Sequence, residues 1–145
     1  MKISTRGRYA LRFMIDLAVH NTGGYITLKD VSKRQNISVK YLEQITALLS
    51  KYSLLNSVRG PQGGYKLSKT PDKYTVGEIL RITEGNLAPV ACLEQDENTC
   101  EKKDSCPTLS MWQGFYKVVN DYFDSILLSD LVKNVKIEPI LDYVI

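Results

Sequence analysis

The feature that most constrains the fold is a pair of short apolar-faced segments hinged at Asn36-Ile37-Ser38 and followed by a glycine-rich reversal, Gly60-Pro61-Gln62-Gly63-Gly64. Thr27 is placed to open a helix that closes near Gln35, with Asp30 at its third position as an acidic variant of the capping box. Ser38 opens the next helix, whose Leu42, Ile45, Leu48 and Leu49 recur at helical spacing. Two apolar-striped helices across a tight turn form the helix-turn-helix pattern. Asn56–Arg59 and Tyr65–Leu67, on either side of the glycine-rich loop, read as the strands of a β-hairpin. The expected fold class is therefore mainly α: a winged helix-turn-helix with a small hairpin wing and a long C-terminal helix.

The remaining segments extend this frame. Ser4 or Thr5 can cap a first helix running to about His20, with Leu11, Ile15, Ala18 and Val19 as its apolar stripe. Thr75–Thr83 suits a fourth helix carrying Val76, Ile79, Leu80 and Ile82. Gly85, Pro89 and Pro107 interrupt residues 85–108, which read as loop. Trp112, Phe115, Val119, Tyr122, Phe123 and Ile126 then give an amphipathic helix at heptad-like spacing, read as a dimer seam in preference to a helix packed on its own domain. Asp130–Lys136 suits one more short helix, and Ile137–Ile145 is an apolar tail. The division expected is residues 1–84 as the winged-helix domain, 85–108 as a cysteine loop, and 109–145 as dimerisation helix and tail. At 145 residues the chain can bury enough surface to fold without disulfides.

Charge separates the halves. Residues 1–70 carry twelve Lys/Arg against three acids, a net of +9, and residues 71–145 carry a net of −6. A basic half favours a polyanion, and with this fold pattern the expected partner is double-stranded DNA. Base-reading side chains belong near the start of the recognition helix, where Lys40, Tyr41, Glu43 and Gln44 stand. Arg59, at the shoulder of a compact wing tip, suits a minor groove. Arg6, Arg8, Lys33, Arg34 and Lys66 suit phosphates, which position without specifying.

All three cysteines of the chain, Cys92, Cys100 and Cys106, fall in one fifteen-residue acidic stretch with spacing C-x7-C-x5-C. No C-x-x-C pair is present, and the single histidine, His20, lies in the first helix, so a four-ligand zinc site is poorly served. Thiolates clustered on a loop suit an iron–sulfur cluster. Zinc and a thiol redox switch stay open on spacing alone. An odd cysteine count without an export signal points to a reducing cytoplasm, and no run is apolar enough for a membrane span. No nucleophile–base pair, phosphate-cradling motif or paired carboxylates point to an enzyme.

The opening Met1–Ala10, the segment Ser38–Gln44 and the segment Val58–Tyr65 together resemble the iron–sulfur cluster regulators called IscR, over residues 1–135. The resemblance implies a homodimeric winged-helix transcription factor whose long C-terminal helices cross at the dimer interface. It also implies that Cys92, Cys100 and Cys106 ligate a cluster, usually [2Fe–2S], whose occupancy changes promoter choice. Glu43 and Gln44 then fall in the base-reading helix, and Arg59 in the wing.

The chain departs from that pattern at several positions. Leu109 stands three residues after Cys106, where the family places a histidine ligand, and leucine cannot bind iron. Some relatives recruit a carboxylate from the partner's first helix, where this chain has Arg8. Glu101, Asp104 or an external thiol remain as fourth-ligand candidates. The Cys92–Cys100 spacing is wider than usual, and Lys40 replaces a small polar residue. The sequence reading is a homodimeric regulator sensing iron–sulfur or redox status, with [2Fe–2S] favoured over [4Fe–4S] and the fourth ligand unassigned. The alternative is a cluster-free thiol redox regulator.

Overall fold

The computed structural model of the chain describes residues 1–136; the Ile137–Ile145 tail lies outside the described residues. Helix α1 spans Thr5–Val19, with Ser4 as its cap accepting a hydrogen bond from the Gly7 N–H. Its buried face is Ala10, Phe13, Met14 and Leu17, not the expected Leu11, Ile15, Ala18 and Val19, which are only partly covered. Both sets satisfy the 3.6-residue period. A helix apolar over most of its circumference is covered on several sides, so periodicity cannot select the deepest face.

Helix α2 (Leu28–Gln35) begins as expected, with Thr27 accepting from the Asp30 N–H. It ends where Asn36 turns left-handed, at φ 54° and ψ 47°, a conformation Asn tolerates better than most residues. Helix α3 (Val39–Lys51) follows with Ser38 as cap. Leu42, Ile45 and Leu49 are buried, whereas Leu48 is only partly so. Thr46 takes the remaining buried place and satisfies its hydroxyl on the Glu43 carbonyl at 3.0 Å.

The wing pairs β1 (Leu55–Val58) with β2 (Gly64–Leu67), antiparallel, from Leu55 opposite Leu67 to Val58 opposite Gly64. The sequence reading missed a third partner: Ile26 exchanges both backbone hydrogen bonds with Tyr65 at 2.8 Å, joining the hairpin to the entry of α2. The wing glycines also differ from the expected turn role. Gly60 alone of the three has positive φ, 108°. Gly63 and Gly64 are demanded by close approach instead, because an added Cβ would sit 2.2 Å from the Val58 carbonyl oxygen in one case and 2.2 Å from the Ile26 carbonyl oxygen in the other. Buried Tyr74 anchors the base of the wing, donating to the Leu54 carbonyl at 2.8 Å and accepting from the Lys69 N–H at 3.0 Å.

Helix α4 (Val76–Glu84), capped by Thr75, ends at Gly85 with φ 85°. After the loop-like cysteine segment, α5 runs Leu109–Asp124 and a short α6 covers Leu128–Val132. The last helix starts two residues earlier than expected, because the Leu127 N–H is capped by the Asp130 carboxylate at 2.9 Å. Ile126, counted in the aromatic stripe, falls beyond α5. Leu128 returns to the main core formed by α1, α3 and the wing base, while Val76, Leu80 and Leu87 make a second cluster under α5.

That second cluster splits the expected stripe on α5. Tyr116, Val119 and Phe123 pack inward on it. Met111, Phe115, Val118 and Tyr122 stay exposed, at 54, 43, 65 and 61%. Their steps of four, three and four residues follow a heptad spacing. The sequence reading had merged these two neighbouring faces into one.

Candidate nucleic-acid interface and cysteine segment

Helix α3 turns one polar face to solvent. Lys40, Glu43, Gln44 and Ala47 are exposed along it, close to the Ser38 cap where a groove-inserted helix reads bases. Tyr41 sits to one side and is half-buried. Its ring meets Tyr9 edge-on, with centroids 5.6 Å apart and planes at 85°, and the Arg12 guanidinium lies 5.3 Å over Tyr9. This stack joins α1 to the first turn of α3.

Arg59 and Gly60 are exposed at the tip of the wing, and Lys33 is exposed in the last turn of α2. Arg8 is exposed on the first turn of α1 and donates to the Thr5 hydroxyl at 2.9 Å. Arg6, also exposed, donates through Nε to the Thr83 carbonyl at 3.0 Å. Lys66 lies over the Tyr25 ring at 4.7 Å.

Arg34 requires a correction. It was expected at phosphates, but it grips the Asp16 carboxylate through Nη2 at 2.7 Å and Nε at 3.0 Å. Asp16 is 2% exposed and also accepts from Gln35 Nε2 at 2.9 Å. The hydrogen bond to Asp16 holds the Arg34 guanidinium above its ordinary pKa. Asp16 thus locks α1 to the end of α2, and sequence reasoning missed it. The available signal was an acid set directly before Leu17 in an apolar helix. His20 belongs to the margin of this network, with Nε2 3.9 Å from Asp16, as a helix residue rather than a ligand of the cysteine segment.

A second missed cluster lies at the other end of α1. The Ser4 N–H and hydroxyl both donate to one oxygen of Glu84, at 3.0 and 2.7 Å.

The three cysteines are free thiols on the segment between α4 and α5. Cys92 sits in a single 3-10 turn, Ala91–Leu93, and is half-buried; Cys100 is exposed and Cys106 half-buried. The Thr108 hydroxyl lies 3.5 Å from the Cys106 sulfur, and that hydrogen bond holds the thiol below its ordinary pKa. Among the described residues, no three His, Cys, Asp or Glu side chains converge on a metal-binding point. The donor type fits a thiolate-bound cluster, since three soft, uncommitted ligands share one loop. Leu109 is the first residue of α5 and offers no ligand; Glu101 and Asp104 are exposed on the same loop.

The Rrf2 family profile, described as iron-dependent transcriptional regulator, matches residues 3–134. The regulator IscR of Pectobacterium atrosepticum is 35% identical over 142 residues, covering 98% of this chain and 85% of that protein. Among solved structures, IscR of T. potens aligns with a TM-score of 0.75 and 39% identity over 94% of this chain and 89% of its own. CymR, the global cysteine regulator of B. subtilis, aligns equally well, with a TM-score of 0.75 and 37% identity over 94% and 99%. These relatives are named as regulators, not enzymes. No helix among the described residues is long and apolar enough to cross a membrane.

Proposed function

The chain belongs to the Rrf2 family of iron-dependent transcriptional regulators, and from that premise we propose a cytoplasmic homodimer that adjusts transcription to iron–sulfur status. DNA binding and transcriptional regulation come with the family. The observation that carries the finer reading is the joining of three free thiols on one loop to a reading head with an exposed polar face.

In this reading Glu43 and Gln44 meet base edges, Gln bidentate to adenine and Glu accepting from a cytosine amino group. Lys40 and Tyr41 flank them, and Arg59 enters the minor groove from the wing. Arg6, Arg8 and Lys33 neutralise phosphates. Cys92, Cys100 and Cys106 would hold the cluster, [2Fe–2S] in preference to [4Fe–4S], with the fourth ligand from Glu101, Asp104 or an external thiol. When bound, such a group supplies an oxidation-sensitive cross-link among the three thiolates. The exposed seam Met111, Phe115, Val118 and Tyr122 serves as the dimer face. Arg81, bound to Asp124 at 2.6 Å and Asn120 at 3.0 Å, fixes the angle at which α5 leaves the winged-helix core.

Gln44→Ala and Glu43→Ala should each cost about 1–3 kcal/mol on operators that offer the matching base and little elsewhere. Arg8→Ala should weaken binding to every sequence and lower the salt slope by about 1. Titrations against an operator panel at several salt concentrations check both. Uniform losses from all three changes would refute the base-reading assignment.

Two observations favour a second reading. Cys106 is held toward its thiolate form by Thr108, and the fold aligns closely with a cysteine regulator. A cluster-free thiol switch predicts that metal-free protein still changes its DNA affinity on peroxide treatment, and that Cys106→Ser abolishes the change.

A further inference from the structure

Helix α1 lacks half of its own cap. Ser4 accepts from the Gly7 N–H at 3.2 Å, the first bond of a capping box, but the third helical position, where that box needs a Glu or Gln, is Gly7. The first turn of α1 holds no acid at all. Glu84, the last residue of α4, fills the role from outside: its carboxylate takes both the Ser4 N–H at 3.0 Å and the Ser4 hydroxyl at 2.7 Å. Gly7 makes the space. A Cβ there would lie 2.3 Å from the same Glu84 oxygen. The carboxylate also meets the positive end of the α1 dipole. Beside it, Arg6 Nε ties the same turn of α1 to the Thr83 carbonyl at 3.0 Å.

This joint has the cysteine segment on one side and DNA-facing groups on the other. Gly85, at φ 85°, begins the segment directly after Glu84. Arg6 and Arg8 stand on the turn that Glu84 caps, and one turn further Tyr9 packs on Tyr41 at the start of α3. We propose that Glu84 is the positioning residue that couples residues 86–106 to the DNA-facing end of α1, through an inter-helix capping box closed on Ser4 over Gly7. The inference rests on the sensor reading of the cysteine segment, but the coupling itself requires no cluster. Its energy is reciprocal, so DNA bound at α1 must be felt in the segment.

The test is amide hydrogen exchange on the full-length protein, with and without a mixed-sequence duplex at low salt, where phosphate contacts suffice for binding. In the unaltered chain the duplex slows exchange in residues 5–9 and also in residues 86–93. Glu84→Ala should erase the slowing in 86–93 and weaken duplex binding about fivefold or more. Glu84→Gln retains an acceptor oxygen and should keep both effects. Gly7→Ala, which displaces the carboxylate without deleting it, should reproduce Glu84→Ala. A purely structural cap would change melting temperature yet leave the transmitted slowing in place. Unchanged slowing in Glu84→Ala and Gly7→Ala, or none in the unaltered chain, overturns the proposal. Slowing that depends on Glu84 in a protein devoid of iron and sulfide supports the coupling while removing the sensor reading.

Discussion

Val118→Asp should leave the monomer folded and remove tight DNA binding. Val118 is 65% exposed and lies at the middle of the Met111, Phe115, Val118, Tyr122 seam, so a charge there meets water within one chain. Across the proposed helix–helix interface the same carboxylate is desolvated with no partner, a cost of several kcal/mol. Two linked reading heads gain roughly 10²- to 10⁴-fold in avidity over one. The variant should therefore sediment at half the mass, keep its helical circular dichroism, and lose at least about 100-fold in affinity for a two-half-site operator. Binding to a single half-site should change little. A variant that remains dimeric would move the interface elsewhere.

Asp16→Ala should produce the largest loss of stability. It deletes a buried acceptor of four hydrogen bonds and leaves Arg34 and Gln35 without their partner. Breaking a buried charge pair costs about 3–5 kcal/mol. The Arg34 side chain is 32% exposed and can recover water, which reduces the expected loss to about 2–3 kcal/mol. For a chain of this size that lowers the melting midpoint by about 4–12 °C. Asp16→Asn keeps one acceptor oxygen and should fall between. Calorimetry of the three proteins under one buffer condition checks the order. A loss below about 0.5 kcal/mol would mean that the Asp16–Arg34 grip does not hold α1 to α2.

The sequence was most legible where a local signal needs no tertiary partner. Thr27 and Ser38, and Ser4 of the pair Ser4 or Thr5, each act within three residues of their own helix, and all three hold the hydrogen bonds that their positions imply; Thr75, expected as the first residue of its helix, is the cap instead. The hairpin was visible because its glycines bracket it. What failed depended on the other side of a contact. Gly63 and Gly64 look like turn residues until Val58 and Ile26 press against them. Arg34 looks like a phosphate ligand until Asp16 is found 18 positions away in sequence. Helix α5 carries two apolar faces offset by one residue, and a single heptad count cannot tell which meets the core. Glu84 and Ser4, 80 residues apart, share no local signal except the glycine where a capping acid belongs. The candidate site follows the same rule. The cysteines and the polar face of α3 were legible by type and spacing, while the contacts that tie α1 to α3, α4 and the wing were not.

On the proposed function, the cysteine segment holds an iron–sulfur cluster. The direct measurement is iron and acid-labile sulfide per protomer in anaerobically purified protein, with its visible absorbance, beside a Cys92→Ser, Cys100→Ser, Cys106→Ser variant. A cluster on this segment gives iron and sulfide in equal proportion, charge-transfer absorbance bleached by reductant or air, and the loss of all three signals in the variant. Zinc without sulfide, or iron and sulfide undiminished in the variant, would contradict it.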